Sequence, residues 1–406
     1  MDHWKTIVDG IDKEEVIQKI REISTVLESI PDKEIYSSTG LLVGSSGIGL
    51  FFLNMAKVYD DEKYYAKLGE VIEKSVDVFA NDQTQFSICY GAAGLGWLIN
   101  HAVKNDLMDA VDAEDILQYL DNYLAPIMVY EMKRGNYDFL HGALGVAIYF
   151  LSREKADHEK YIIEVIKELE KLAVVESNGM VKWPFFHVDK IEDNRFNLGL
   201  SHGIPSIISF LSKAQESNIL PDTCTHLIEG ATNYVLSKAY DFDSKGCYWD
   251  YFVDDDSGPY VSRLAWCYGD IGIANVLLEA SQVLQNSELK AKSIDIFKKT
   301  ATRQDPQKNQ IWDSCFCHGA SGLAYIFQKA FNQTGLVDLK EAATHWTKVS
   351  LRLANHKDGY AGYKMYGANQ SFEDKPGYLE GISGVGLSLL AAAHSEVSGW
   401  DESLLL

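Results

Sequence analysis

Hydrophobic positions along the chain fall into two kinds of segment, and the two kinds alternate. In the first, apolar residues recur at three- and four-residue spacing among charged ones. Examples are EEVIQKIREISTVLESI (14–30), KYYAKLGEVIEKSVDVF (63–79), HEKYIIEVIKELEKLAV (158–174) and LKEAATHWTKVSLRLAN (339–355). That period predicts amphipathic helices with one wet face. The second kind is apolar or small nearly all round, as in GIGLFFLNMAKVY (47–59) and GLAYIFQKAF (322–331). Such a helix must be covered on every side.

Each apolar segment opens on the same glycine-led pattern, which returns seven times: GSSGIGL at Gly44, GAAGLGW at Gly91, GALGVAI at Gly142, GIPSIIS at Gly203, GDIGIAN at Gly269, GASGLAY at Gly319 and GISGVGL at Gly381. The fourth copy is the most degenerate, with Pro205-Ser206 where the others place a second glycine. Seven outer/inner helix pairs, with no polar stretch long enough to separate domains, predict an all-α fold: a single domain over 1–406 forming a closed α/α toroid. An open solenoid would need polar-faced repeats at its ends. The last copy, GISGVGLSLLAAAHSE, is as apolar as the middle ones. Two segments break the helical rhythm, SNGMVKWPFFHVD (177–189) and SKGCYWDYFVDDDSGPY (244–260). Their Asn-Gly and Lys-Gly turns between aromatic and β-branched residues predict short β-hairpins on one rim.

The repeat register selects the chemistry. Directly before the seven glycines stand Val43, Tyr90, His141, His202, Tyr268, His318 and Glu380; one position earlier stand Leu42, Cys89, Leu140, Ser201, Cys267, Cys317 and Leu379. A purely structural ring gives no reason for three histidines and three cysteines at equivalent helix starts. Helix N-termini also favour anionic ligands such as thiolate. Cys267, Cys317 and His318 come from adjoining repeats and offer two thiolates and an imidazole. Three such ligands leave a tetrahedral zinc one open position, as in catalytic sites. Soft sulfur donors disfavour magnesium, calcium and manganese. Cys89, on a distant repeat, reads as a small buried residue. Cys315 lies two positions off the register and reads as core or as support for the ligand at 317. Cys224 and Cys247 carry no role.

His202 is a candidate general acid or base. Asp138, three residues before His141, reads either as an N-cap or as the group that orients His202. Arg263 either pairs with a carboxylate or stabilises a developing oxyanion. DFDSKG at 241 resembles the start of a calcium loop, but Lys245 and Phe252 stand where ligands belong. VDDDSG (253–258) reads as a solvated hairpin end.

A formal net charge of −21 argues against nucleic acid and anionic membranes. No apolar run reaches the length of a membrane span, and the first residues lack a signal-peptide pattern. With six cysteines in 406 residues, reduced thiols in the cytoplasm are expected.

These residues resemble the lanthionine synthetase C-like family, the cyclases of class I lanthipeptide biosynthesis. The resemblance rests on GLSHG (199–203), SRLAWCYGD (262–270), CHGASGL (317–323) and the sevenfold glycine pattern. It implies zinc held by Cys267, Cys317 and His318, with catalytic support from Asp138, His202 and Arg263. The implied substrate is a precursor peptide whose serines and threonines have been dehydrated. The implied partners are a dehydratase and a transporter, through which the protein would associate with a membrane. Ser201 departs from the alanine usual in the family. Two other readings are glutathione addition to dehydrated residues and a non-catalytic peptide-binding toroid. Zinc-dependent prenyl transfer would need a basic pyrophosphate pocket, for which the charge balance gives no support.

Overall fold

A computed structural model describes residues 4–82, 85–153, 156–186, 195–253, 261–367, 369–397 and 399–406. Up to residue 153 the helices are α1 (Gly10–Ser29), α2 (Asp32–Ile35), α3 (Ser45–Tyr59), α4 (Glu62–Asn81), α5 (Ala92–Lys104), α6 (Ala110–Lys133) and α7 (Ala143–Arg153). Then follow α8 (Glu159–Leu172), β1 (Val174–Val175), β2 (Val181–Lys182), α9 (Ile204–Glu216), α10 (Pro221–Ser237), α11 (Phe242–Lys245), α12 (Asp270–Val283) and α13 (Ser287–Ala301). Next come α14 (Ala320–Thr334), α15 (Val337–Arg352), β3 (Met365–Tyr366), β4 (Phe372–Glu373) and α16 (Ile382–Ala393), followed by a 3-10 turn over Trp400–Leu404. The chain divides into two compact units, Met1–Gln118 with Ala301–Glu402, and Tyr119–Thr300 with Ser403–Leu406.

The two kinds of hydrophobic segment become two kinds of helix. α3, α5, α7, α9, α12, α14 and α16 each start directly after one of the seven glycines and are buried along nearly their whole length. α1, α4, α8, α10 and α15 bury one stripe and leave the rest in water. In the first unit α16 packs against α1, α3 and α14. The last inner helix is therefore covered by the first pair, which explains why its sequence carries no polar face.

Small residues at the helix starts let neighbouring loops approach. A Cβ on Gly94, the second glycine of its copy, would sit 2.2 Å from the amide nitrogen of Leu41 in the preceding repeat. Gly269 is needed twice over: its φ is +100°, and a Cβ there would lie 2.1 Å from the carbonyl oxygen of Arg263. In the degenerate fourth copy Pro205 occupies the first turn of α9, where its missing N–H is an orphan in any case. Ser206 is fully buried and donates to Gly203 O at 2.7 Å.

The expected hairpins met different outcomes. Around Asn178-Gly179, β1 and β2 pair antiparallel, with Val174 opposite Lys182 and Gly179 at φ +84°. The rest of that segment, 187–189, lies outside the described residues. The segment 244–260 is not a hairpin where it is described. Asp241 accepts Ser244 N–H at 2.9 Å and caps the single turn of α11, which Gly246 ends at φ +82°. A carboxylate cap thus converts the Lys-Gly turn signal into a helix stop. Beyond it the chain is held from a distance: Asp270 Oδ1 accepts the N–H groups of Tyr248 and Trp249 at 2.9 and 3.2 Å, and Phe252 bridges Asn197. VDDDSG lies, after Val253, outside the described residues. A hairpin the pattern did not predict, β3 with β4, fills the interval before Gly381.

Candidate functional site

In the second unit the register loops of repeats three, four and five carry the candidate acid–base groups. Asp138 is the partner of His202 rather than a helix N-cap: α7 begins only at Ala143, and the Asp138 carboxylate ties the turn before the helix. Its Oδ1 accepts the backbone N–H of His141 at 2.7 Å, and its Oδ2 accepts Nδ1–H of His202 at 2.5 Å. Nδ1 is thereby committed, which leaves Nε2 of His202 to exchange a proton elsewhere. Burial is the largest influence on the imidazole and pushes its pKa down. The hydrogen bond and charge of Asp138, with a smaller contribution from Cys267, outweigh it, so the net direction is up. The opposite holds for His141, where burial wins and lowers the pKa. The two rings lie 5.9 Å apart.

The loop of repeat four is tied to that of repeat five. The N–H and the hydroxyl of Ser201 both approach the carbonyl of Cys267 at 3.4 Å. The serine that departs from the family pattern thus adds one long hydrogen bond to a contact the backbone already makes. Cys267 is buried at the start of α12. Beside it, Tyr268 packs on Tyr251 with ring centroids 4.8 Å apart and stands 6.5 Å from the His202 ring. Its hydroxyl accepts from Asn197 Nδ2 at 3.0 Å, and burial pushes its pKa up to about 12. The backbone N–H of Arg263 donates to the Tyr251 hydroxyl at 3.3 Å, and its carbonyl crosses over Gly269. The structure therefore joins Asp138 directly to His202 and anchors Arg263, through its backbone, to the loop that carries Cys267.

In the first unit Cys317 and His318 directly precede Gly319, the N-cap of α14. Cys317 donates its N–H to Leu379 O at 2.8 Å and is buried. His318 is half-buried, with Nε2 3.7 Å from Asp313 Oδ2. Asp313 is a buried hub: Oδ1 accepts Cys315 N–H at 2.9 Å and Oδ2 accepts Tyr366 N–H at 2.7 Å. It faces the imidazole as carboxylates commonly face metal-binding histidines. Cys315 is fully buried, its Sγ accepts the backbone N–H of His318 at 3.4 Å, and burial pushes its thiol up to about 12. These are the features of a core thiol that supports its neighbour. Cys89 and Cys224 are likewise buried, Cys224 on α10 with its thiol pushed up to about 12. None of the six cysteines is disulfide-bonded.

Cys267, Cys317 and His318 all belong to groups of Cys, His and Asp side chains that could hold a metal ion. The sequence model of the lanthionine synthetase C-like proteins matches residues 37–405. The chain belongs to that family. It is similar to the nisin biosynthesis protein NisC of Lactococcus lactis subsp. lactis, with 23% identity over 400 residues, covering 92% of this chain and 89% of the relative. It also resembles the solved structure of nisin cyclase, with a TM-score of 0.75, 22% identity and 97% of each chain covered. The fold is that of nisin cyclase, an α/α toroid built from helices with a few short strands, as the alternating pattern predicts.

Three further residues, two in the second unit and one in the first, stand at positions with a sequence signal. Tyr268 and His141 occupy register positions, and Asp313 opens the DSCFCHG stretch. Only their contacts give them roles, Tyr268 against Tyr251 and Asn197, His141 on Asp138, and Asp313 behind His318. Among the described residues no helix is long and apolar enough to cross a membrane.

Proposed function

We propose that the protein is a zinc-dependent lanthionine synthetase that closes thioether rings in a dehydrated precursor peptide. The observation that carries the reading is the Asp138–His202 pair, held by hydrogen bonds on the loop tied to Cys267 in a member of the lanthionine synthetase C-like family. The name of its relative, a nisin biosynthesis protein, supports a lanthipeptide precursor as the class of substrate. Cys267, Cys317 and His318 would hold the metal. Their chemistry fits zinc: two thiols and an imidazole are soft to borderline donors, and three of them leave one position open. When bound, zinc supplies a lowered pKa to a coordinated thiol, which otherwise ionises at about 8.5.

The remaining steps belong to the chain's own residues. Substrate sulfur bonds to the β-carbon of dehydroalanine or dehydrobutyrine, the carbon–carbon π pair shifts to join the α-carbon to the carbonyl carbon, and the carbonyl π pair moves onto oxygen to give an enolate. Arg263 stabilises that oxyanion. His202 returns a proton to the α-carbon through Nε2, while Asp138 holds the ring and favours its charged form. One proton leaves the thiol and one arrives at carbon, so the product has the mass of the substrate. A dehydratase would supply the peptide, and we place the protein with it in the cytoplasm, beside a transporter for the product.

The test is incubation of the zinc-loaded protein with peptides that carry cysteine and dehydroalanine, followed by thiol alkylation and mass measurement. Loss of alkylatable thiol at constant mass is expected. Thiols that persist on every peptide would overturn the proposal, and consumption of added glutathione instead would establish intermolecular addition.

A further inference from the structure

Asp138 holds two histidines at once, His202 by its ring and His141 by its backbone. Because Nδ1 of His202 is committed to the carboxylate, any proton the ring exchanges enters or leaves at Nε2. Each ring closure takes one proton from that nitrogen, which must be recharged before the next. Among the described residues of the second unit, few groups beside the His202 ring could return it. Asp138 is occupied by its two hydrogen bonds. Cys267 is a proposed metal ligand. Tyr268, with its ring 6.5 Å away, has a pKa pushed up to about 12 by burial and holds its proton at neutral pH. His141 remains. Its ring centroid lies 5.9 Å from that of His202, close enough for one water to join the two imidazoles. His202 is half-buried, whereas His141 is exposed. The protein packed around the His141 ring nevertheless lowers its pKa, so the ring does not retain a proton it has gained.

We infer that His141 is a proton relay, which carries protons from water to Nε2 of His202. The inference rests on the proposed ring-closing activity. Geometry carries it: exposure decreases stepwise from His141 to His202, the two rings are neighbours, and the other groups beside His202 are committed elsewhere. The proton balance is complete. Nε2 of His202 gives one proton to the α-carbon, an N–H of charged His141 breaks to recharge Nε2, and water or buffer returns one proton to His141. The substrate thiol releases one proton to solvent in the same turnover, and nothing is oxidised or reduced. The side chain can be removed without disturbing its neighbour. Asp138 holds His141 only through the backbone N–H in that contact, so loss of the ring leaves the Asp138–His202 bond in place.

The test compares zinc-loaded wild type with His141→Gln on a synthetic peptide that carries one cysteine and one dehydroalanine, in dilute buffer. His202 keeps some contact with water of its own, its side chain being 25% exposed. The loss in kcat is therefore expected to be about tenfold, below the about 10²–10⁴-fold of a group that acts directly. KM and zinc content should stay as in wild type. Added 2,6-lutidine, a mobile base of imidazole-like strength whose methyl groups keep it off metals, should restore kcat in the variant and leave wild type unchanged. An unaltered kcat in His141→Gln overturns the relay. So does a fall that lutidine does not restore, or one accompanied by raised KM or lost zinc, which would make His141 a packing or binding residue. If wild type itself closes no ring, the proposed activity falls and the relay with it. Rings closed equally by wild type and variant refute the relay alone.

Discussion

Asp138→Asn separates the charge of the buried carboxylate from its shape. Asparagine keeps a side-chain carbonyl oxygen that can accept the same turn hydrogen bond, so the bond to His141 N–H survives. What disappears is the negative charge at 2.5 Å from Nδ1 of a His202 side chain only 25% exposed. A hydrogen bond to a charged group contributes about 1.5–3 kcal/mol, and this one is short and mostly shielded from water. Asp138 raises the His202 pKa against the lowering effect of burial. The stabilisation is therefore complete below the ordinary histidine pKa of about 6.5 and is lost as pH rises through the raised folded value. Urea unfolding of the zinc-loaded protein should show Asp138→Asn destabilised by about 2 kcal/mol near pH 6, with the gap shrinking steadily at higher pH. Ring closure should fall by about 10²–10⁴-fold with zinc retained. A destabilisation independent of pH would refute the charged pair. A normal ring-closure rate would reduce His202 to a packing residue.

Cys317→Ala and His318→Ala should each lose zinc by metal analysis, whereas Cys315→Ala, which removes only a buried neutral thiol, should keep it; full zinc in the Cys317 variant would transfer the ligand role to Cys315. Gly269→Ala forces a Cβ into the Arg263 carbonyl at φ +100° and should cost at least about 2 kcal/mol, read as a lowered unfolding midpoint. Ser201→Ala removes only a 3.4 Å contact and should change stability by less than about 0.5 kcal/mol, with activity near wild type. A large loss in Ser201→Ala would show that the hydroxyl, rather than the backbone, ties repeat four to repeat five.

Hydrophobic period was enough to tell inner helices from outer ones, because burial on one face or on all faces is written directly into local composition, and the glycine pattern counted seven inner helices. The glycine register likewise aligned the helix starts, since close loop packing such as Leu41 over Gly94 tolerates no side chain. Turn signals were weaker: Lys245-Gly246 ended a capped helical turn instead of forming a hairpin, because Asp241 and Asp270 supply hydrogen bonds that a strand pairing would otherwise make. Asp138 remained ambiguous between cap and partner. Its second oxygen meets a histidine 64 residues away, and no local pattern reports on such a distance. The same is true of Asp313, whose hold on Tyr366 crosses 53 residues, and of His141, whose neighbour, the ring of His202, belongs to the next repeat. A sequence encodes what each segment must bury. Which polar groups meet is decided when distant loops hydrogen-bond to one another.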